Sequence, residues 1–397
     1  MARPGSAVAL LAGAIALASC SAPPSDDGLR IIVSSGPVYE VPTRDAPPAK
    51  PVPQTAGRGT LILEGGGDYL DEASEMTVAL AGTKPVLCLI DPASKGGGDA
   101  YHKFDGIGGF KMLTVNLTAT SSQQARVLEA LESCTGYFIN TGDPIMLSSA
   151  LRPNATDSKA LKIIRRRFEQ NGAVIAGTGT GTMIVGDLTL CDCGSESSVE
   201  ALTQGTIFEA PGYVFVHGVL IDAHFFTRGL IGRHLYALAD TKEPVGVGID
   251  ESTAVIVPGN GGLWRVIGQS SVALIRRGNA VSVKHLEDFT LSLLNDGDSF
   301  DPVTGRIVVS PKRKPILLLR GVDAKPIETT RIFDSNQVLT MIQALAGSPS
   351  VVARGYDDAS GMAVQVSKGL DSTAYSDGTS ITILDLDLGI ARGTPSG

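Results

Sequence analysis

Val174-Ile175-Ala176-Gly177-Thr178-Gly179-Thr180-Gly181-Thr182, followed by Met183-Ile184-Val185, decides how the rest of this chain is read. An apolar, β-branched run enters a tight glycine-rich turn and leaves into a predicted helix. Strand, sharp turn and helix are the context of a nucleophile elbow, in which G-x-S-x-G lifts one hydroxyl above a sheet. Glycines let the backbone fold sharply and keep the helix start close to the strand. The middle position here is Gly179, so the elbow is present without its hydroxyl. A dinucleotide fingerprint needs Gly where Thr182 stands, and a phosphate loop needs Lys-Ser/Thr after the last glycine. Neither pattern is met.

Outward from the elbow, strands and helices alternate. Thr60–Glu64, Pro85–Ile90, Lys111–Val115 and Gly136–Asn140 are predicted strands, because each is short, apolar and bounded by turn residues. Tyr69–Leu80, Ser121–Cys134 and Ser158–Asn171 are predicted helices between them. This alternation predicts an α/β fold, with a mostly parallel sheet flanked by helices in three layers. Beyond Asp187 the strands shorten: Tyr213–Val216, Val219–Ile221, Val245–Ile249, Thr253–Val257 and Trp264–Ile267, interrupted by a helix over Thr227–Leu238. Residues 59–300 read as one domain and 301–397 as a small C-terminal α/β appendage, with strands at Ile316–Arg320, Val351–Ala353 and Ser380–Leu384 and a helix at Ser335–Ala346.

The N-terminus has the layout of an export signal. Arg3 precedes the apolar run Ala7–Ala18, which is too short to span a bilayer. The run ends in Leu17-Ala18-Ser19-Cys20, which resembles a bacterial lipobox. Residues 1–20 are therefore read as a signal peptide, with Cys20 the lipidated residue that anchors an exported lipoprotein facing the periplasm or exterior. The alternative is a plain signal peptide with an incidental cysteine. Residues 21–56 are proline-rich and read as an extended tether, within which Leu29–Val33 and Val38–Val41 pair as a small hairpin.

The charge of −8 supplies no basic surplus for phosphates and argues against a nucleic-acid partner. Cys88 and Cys134 sit in or beside apolar runs and read as buried free thiols. Cys191-x-Cys193 is too closely spaced for an easy mutual disulfide and lacks the usual zinc-knuckle gap. No metal and no cofactor are assigned.

Two further stretches carry chemistry. Ile221-Asp222-Ala223-His224 ends a strand in Asp-x-His and runs on through Phe225-Phe226-Thr227-Arg228-Gly229-Leu230-Ile231-Gly232-Arg233. Val247-Gly248-Ile249-Asp250-Glu251-Ser252-Thr253-Ala254 places acids at a strand end, where one can orient a histidine. Alone, such a histidine is more often a hydrogen-bonded structural residue than a base, and such acids more often a solvated turn.

Together the three stretches resemble cyanophycinase-type serine peptidases, over about residues 59–300. That family's elbow, Gly-Thr-Ser-Ala-Gly-Ala, aligns with Gly177–Thr182, with Gly186-Asp187 in step. Its Asp-Gln-His-Phe-x-x-Arg-x-Arg-x-x-Arg aligns with Asp222–Arg233, and its Gly-Ile-Asp-Glu-x-Thr-Ala matches Gly248–Ala254 unchanged. Its Phe-x-Gly-Gly-Asp-Gln becomes Ile139-Asn140-Thr141-Gly142-Asp143-Pro144. The resemblance implies a class I glutamine-amidotransferase-like fold. It also implies an elbow serine as nucleophile, His224 as general base and Glu251 holding the imidazole. The substrates implied are β-linked Asp-Arg polymer or isoaspartyl dipeptides. Asp143, Pro144, Thr180, Asp222, Arg228 and Arg233 are the implied substrate-binding positions.

The chain departs at Gly179 for the nucleophile, at Pro144 and Ala223 for two glutamines, and at Leu230 for the middle arginine. Two functions follow as expectations. The first is a catalytically degenerate protein that binds a peptide-like or acidic ligand through Arg228, Arg233 and the elbow helix N-terminus. The second is a hydrolase of the family in which Thr178, Thr180 or a water replaces the serine. A purely structural envelope role for residues 301–397 is a third. A homodimer is compatible with each.

Overall fold

The computed structural model describes residues 37–41, 46–68, 70–92, 100–191 and 197–393. The expectations placed on residues 1–20, on Leu29–Val33 and on Cys193 lie outside these residues.

Five parallel strands form the heart of a ten-stranded sheet. In order they are Lys111–Leu117, Val86–Pro92, Gly136–Ile139, Val174–Thr178 and Leu61–Glu64. The sheet continues antiparallel through Thr253–Val257, Trp264–Gly268, Ser299–Phe300 and Ile307–Val308. Alternating side chains serve two cores, as the period of a strand requires. Leu61, Leu63, Tyr137, Ile139 and Ile175 face the helices Ala125–Ser133, Pro144–Leu151 and Lys159–Asn171. Ile62, Phe138, Val174 and Ala176 face the helix Asp71–Leu80 and the 3₁₀ turn Ala100–Phe104. The fold is α/β with a parallel core sheet between helical layers, as the alternation of elements led us to expect.

The second half is organised differently. Val219–Ala223 and Val245–Ile249 lie parallel at one end of a second, nine-stranded sheet. The sheet runs on through Val272–Arg277, Leu286–Leu294, Ile381–Arg392, Met362–Ser376, Val352–Asp357 and Ile327–Thr330, with Lys314–Ile316 pairing beside Met362–Ser376 as the ninth. One face shares the first core, and the other is covered by helices Ile231–Thr241 and Gln337–Ala346. The segment expected as an appendage after residue 300 is thus continuous with the domain: Leu286–Leu294 pairs directly with Ile381–Arg392.

Several local expectations are corrected. Val38–Val41 pairs antiparallel with Lys111–Leu117 and so forms the edge of the first sheet among the described residues. Residues 46–57 are strapped to the body instead of hanging as a tether. The Val52 N–H donates to Ala79 O (2.8 Å), and Gln54 Nε2 donates to Thr135 O (2.7 Å). Tyr213–Val216 is apolar but not a strand. Val214 has φ 60°, and Arg165 donates to the carbonyls of Tyr213 (2.7 Å) and Val214 (3.1 Å). Those side-chain bonds take the acceptors that a ladder would use.

Cys88 and Cys134 are buried as expected but joined in a disulfide, with Cα atoms 5.8 Å apart. Cys191 is disulfide-bonded as well. The Cys88–Cys134 bond closes a loop of 46 residues between a core strand and the end of the helix Ala125–Ser133. Replacing both cysteines by alanine is expected to cost about 2–4 kcal/mol in urea unfolding, through loop entropy returned to the unfolded chain. A cost below ~1 kcal/mol would show that the bond is not formed in the native protein.

Candidate active site

Four strand ends converge. Val174–Thr178 and Leu61–Glu64 finish side by side in the first sheet, with Thr178 opposite Glu64. Val219–Ala223 and Val245–Ile249 finish side by side in the second, with Ala223 opposite Ile249. The residues that leave these ends are Gly179, Gly65–Gly67, His224 and Glu251. Ligands of open α/β sheets bind outside the carboxyl ends of the strands.

The elbow keeps its geometry without its side chain. Gly179 adopts φ 53° and ψ −118°, a conformation that strains any residue bearing a Cβ. Its N–H donates to Glu64 O (3.2 Å), and Thr182 Oγ1 donates to the same carbonyl (2.7 Å), so the turn is tied to the neighbouring strand. A Cβ built on Gly179 would lie 3.3 Å from His224 Nε2. The following helix is one turn, Thr180–Met183. It is too short to develop the dipole of an anion site, which corrects the expected role of its N-terminus.

His224 and Glu251 form the expected pair, with Nδ1 and Oε1 2.6 Å apart. An imidazole held at Nδ1 by a carboxylate presents Nε2 to accept a proton. The pair is positioned by groups that sequence reading passed over. His224 itself has φ 54°, and its N–H donates to Gly65 O (2.8 Å). The Asp250 carboxylate accepts from the N–H groups of Phe226 (3.0 Å) and Thr227 (2.8 Å) and from Ser270 Oγ (2.6 Å). It thereby clamps the turn after His224, and this turn delays the helix, expected from Thr227, to Ile231. Gly66 and Gly67 lie flat against the dyad. A Cβ on Gly66 would come within 2.2 Å of the His224 ring, and one on Gly67 within 2.7 Å of Glu251 Cβ. The signal in the sequence is the Gly65-Gly66-Gly67 run that closes the predicted strand Thr60–Glu64.

Beneath the elbow Glu64 and Lys103 form a buried ion pair. Burial raises the Glu64 carboxyl, and the Lys103 ammonium pulls it back only in part. Asp91, at the end of its own strand, is also raised by burial, opposed by a hydrogen bond from Asn140.

The expected substrate-binding residues divide. Asp222 and Arg233 are 0% and 1% exposed and bonded to each other at 2.6 Å, Nη2 to Oδ1. They are a structural ion pair and cannot reach a ligand. Asp143 accepts the N–H groups of Ile145 (2.8 Å) and Met146 (3.2 Å) as the cap of helix Pro144–Leu151. Pro144 is buried at the first position of that helix, as proline tolerates. Thr180 Oγ1 donates to Gly142 O (2.8 Å), so its hydroxyl proton is already committed. Ala223 and Leu230, the positions of lost polar groups, are buried. Arg228 is exposed one turn beyond His224, its N–H bonded to His224 O (2.9 Å).

No family model matches the chain. A cyanophycinase of Trichormus variabilis is 27% identical over 231 residues, which is 56% of this chain and 75% of that protein. A cyanophycinase of Synechococcus elongatus is 26% identical over 281 residues, 66% of this chain and 85% of the relative. Among solved structures, a peptidase from an acI-B1 actinobacterium aligns with TM-score 0.47 and 19% identity, over 62% of this chain and 98% of that one. The elbow strand, the histidine and its carboxylate stand where the motifs of the sequence placed them, and the chain is similar to cyanophycinases over most of the length of these relatives.

Proposed function

We propose that this chain is an exported, lipid-anchored member of the family. In this reading it binds a β-aspartyl or isoaspartyl peptide in the cleft around His224 and has lost serine-type hydrolysis. The observation that carries this reading is the missing side chain at Gly179, opposite an intact base. His224 Nε2 lies 3.3 Å from where an elbow Cβ would stand, and Glu251 holds Nδ1 in the orientation a base requires. In the mechanism the resemblance implies, an elbow serine loses its proton to Nε2 and attacks the scissile carbonyl. With glycine no covalent intermediate forms at the elbow. Arg228, exposed beside His224, is the cation suited to a substrate carboxylate.

A second reading rests on the retained dyad. His224 Nε2 deprotonates a water, whose oxygen attacks the amide carbon. The C–N bond then breaks, and the same proton passes to the leaving amine. Triad enzymes without their nucleophile retain about 10³–10⁴-fold over water. Thr180 is less suited to replace the serine, because its hydroxyl is bonded to Gly142 O.

Isothermal titration with β-aspartyl-arginine dipeptide tests the binding. The full chain is expected to bind, and Arg228→Ala to weaken binding about tenfold, the worth of one charge-assisted bond. Absence of binding, or equal affinity in the variant, removes this assignment. Anchoring is tested by fractionation: Cys20→Ala is expected to move the protein from the membrane to the soluble fraction, and an unchanged membrane association refutes it.

A further inference from the structure

The space left by the missing elbow side chain is partly filled. A Cβ on Gly179 would lie 2.8 Å from Thr141 Oγ1 and 3.3 Å from Thr141 Cβ, besides its 3.3 Å approach to His224 Nε2. The first of these distances is one that real Cβ atoms essentially never show. Thr141 follows the strand Gly136–Ile139, on a loop fixed on both sides. The Thr141 N–H donates to Asn140 Oδ1 (2.9 Å), and the next carbonyl, Gly142 O, accepts from Thr180 Oγ1 (2.8 Å). The backbone at 141 is therefore tied to the elbow's own helical turn and has little room to retreat. Rotation about χ1 helps only in part. One of the two other staggered positions puts the methyl where Oγ1 now lies, and no rotation moves Cβ.

Resting on the reading of the cleft as a disarmed site, we propose that Thr141 is the second half of the disarming. Its side chain takes the volume that an elbow nucleophile needs, so that positions 141 and 179 are occupied as a pair. Thr141 admits glycine at 179, and a serine at 179 requires a smaller residue at 141. Restoring the hydroxyl alone leaves it displaced from His224 Nε2, because the new side chain and that of Thr141 compete for one space. Misplacement by about 1 Å is enough to cost about 10²-fold in rate.

The test uses four full-length chains: wild type, Thr141→Gly, Gly179→Ser and the double variant. Each is exposed to a fluorophosphonate, and covalent labelling at residue 179 is followed by mass spectrometry. The double variant is expected to label at least ~10-fold faster than Gly179→Ser alone, a difference of about 1.4 kcal/mol in the barrier. Melting temperatures of the same four chains give a readout independent of chemistry. Gly179→Ser is expected to lower Tm by about 2 °C or more further with Thr141 present than with glycine there, as groups that share space do not add. Equal labelling in the two backgrounds, including none in either, overturns the proposal, and so do additive Tm values. Wild-type turnover overturns the disarmed reading instead. If that turnover is lost in Thr141→Ala, Thr141 is itself the nucleophile and the pairing is overturned with it.

Discussion

Arg233→Met is expected to destabilise the fold by about 3–5 kcal/mol, the usual cost of removing one partner from a buried ion pair. Asp222 is the next-to-last residue of the strand Val219–Ala223 and Arg233 lies in the first turn of the helix Ile231–Thr241, so their bond of 2.6 Å joins the strand that delivers His224 to the helix that covers it. Burial alone would raise the Asp222 carboxyl; the Arg233 guanidinium, with His234, overrides it and holds the group below the usual carboxylate range. The depressed value fixes the sign of the pH dependence. The pair's contribution is fully present above the unfolded value of about 3.9 and is lost as pH falls through the lower folded value. Without Arg233 burial prevails and the sign reverses, so that stability falls as pH rises above about 4. Urea unfolding at several pH values reads both effects. Asp222→Asn combined with Arg233→Met is expected to recover part of the loss, since no buried charge is then stranded. If Arg233→Met folds with native stability and only ligand binding is lost, Arg233 is a ligand contact and its burial has been misread.

The second large effect is a gain. The double variant Thr141→Gly, Gly179→Ser is expected to cleave β-Asp-Arg polymer or isoaspartyl dipeptides at least ~100-fold faster than wild type, a fraction of the roughly 10⁶ in kcat that loss of the nucleophile or the histidine costs a serine protease. Adding His224→Ala is expected to abolish the gain. Only part of the loss is recoverable here, because Pro144, Ala223 and Leu230 stand where the family pattern carries polar side chains, and all three are buried. A double variant no faster than wild type would place the defect in the substrate pocket. Loss of the gain on His224→Ala would confirm that the dyad, Nδ1 to Oε1 2.6 Å, still works as a base.

The elbow and the dyad were legible because their signals are local. A strand followed by Gly-Thr-Gly-Thr-Gly specifies a sharp turn, and Asp-x-His and Asp-Glu each follow a strand end. Short apolar segments such as Leu61-Ile62-Leu63 also gave the parallel core, since both faces are buried. What stayed hidden depends on contacts between distant segments. Asp222 and Arg233 are polar in sequence and look available for a ligand; only the helix packed on the strand makes them partners. Cys88 and Cys134 were legible as buried, but pairing them needs the 5.8 Å that separates their Cα atoms in space. Thr141 carried no signal beyond replacing a glycine, and its meaning comes from the elbow 38 residues away in sequence, the separation of Gly142 from Thr180 across the bond that ties the loops. Residues 301–397 read as a small appendage in sequence; the pairing of Ile381–Arg392 with Leu286–Leu294 on one side and Met362–Ser376 on the other joins them to the domain.

The most direct measurement is the rate at which purified chain lacking residues 1–20 releases β-Asp-Arg dipeptide from the polymer, beside His224→Ala. The account predicts that neither protein approaches the roughly 1–10³ s⁻¹ turnover of ordinary enzymes, and that wild type exceeds His224→Ala only by the slow, water-borne rate. Turnover in that ordinary range, lost on His224→Ala, would contradict it and show that another group has taken the place of the serine at Gly179.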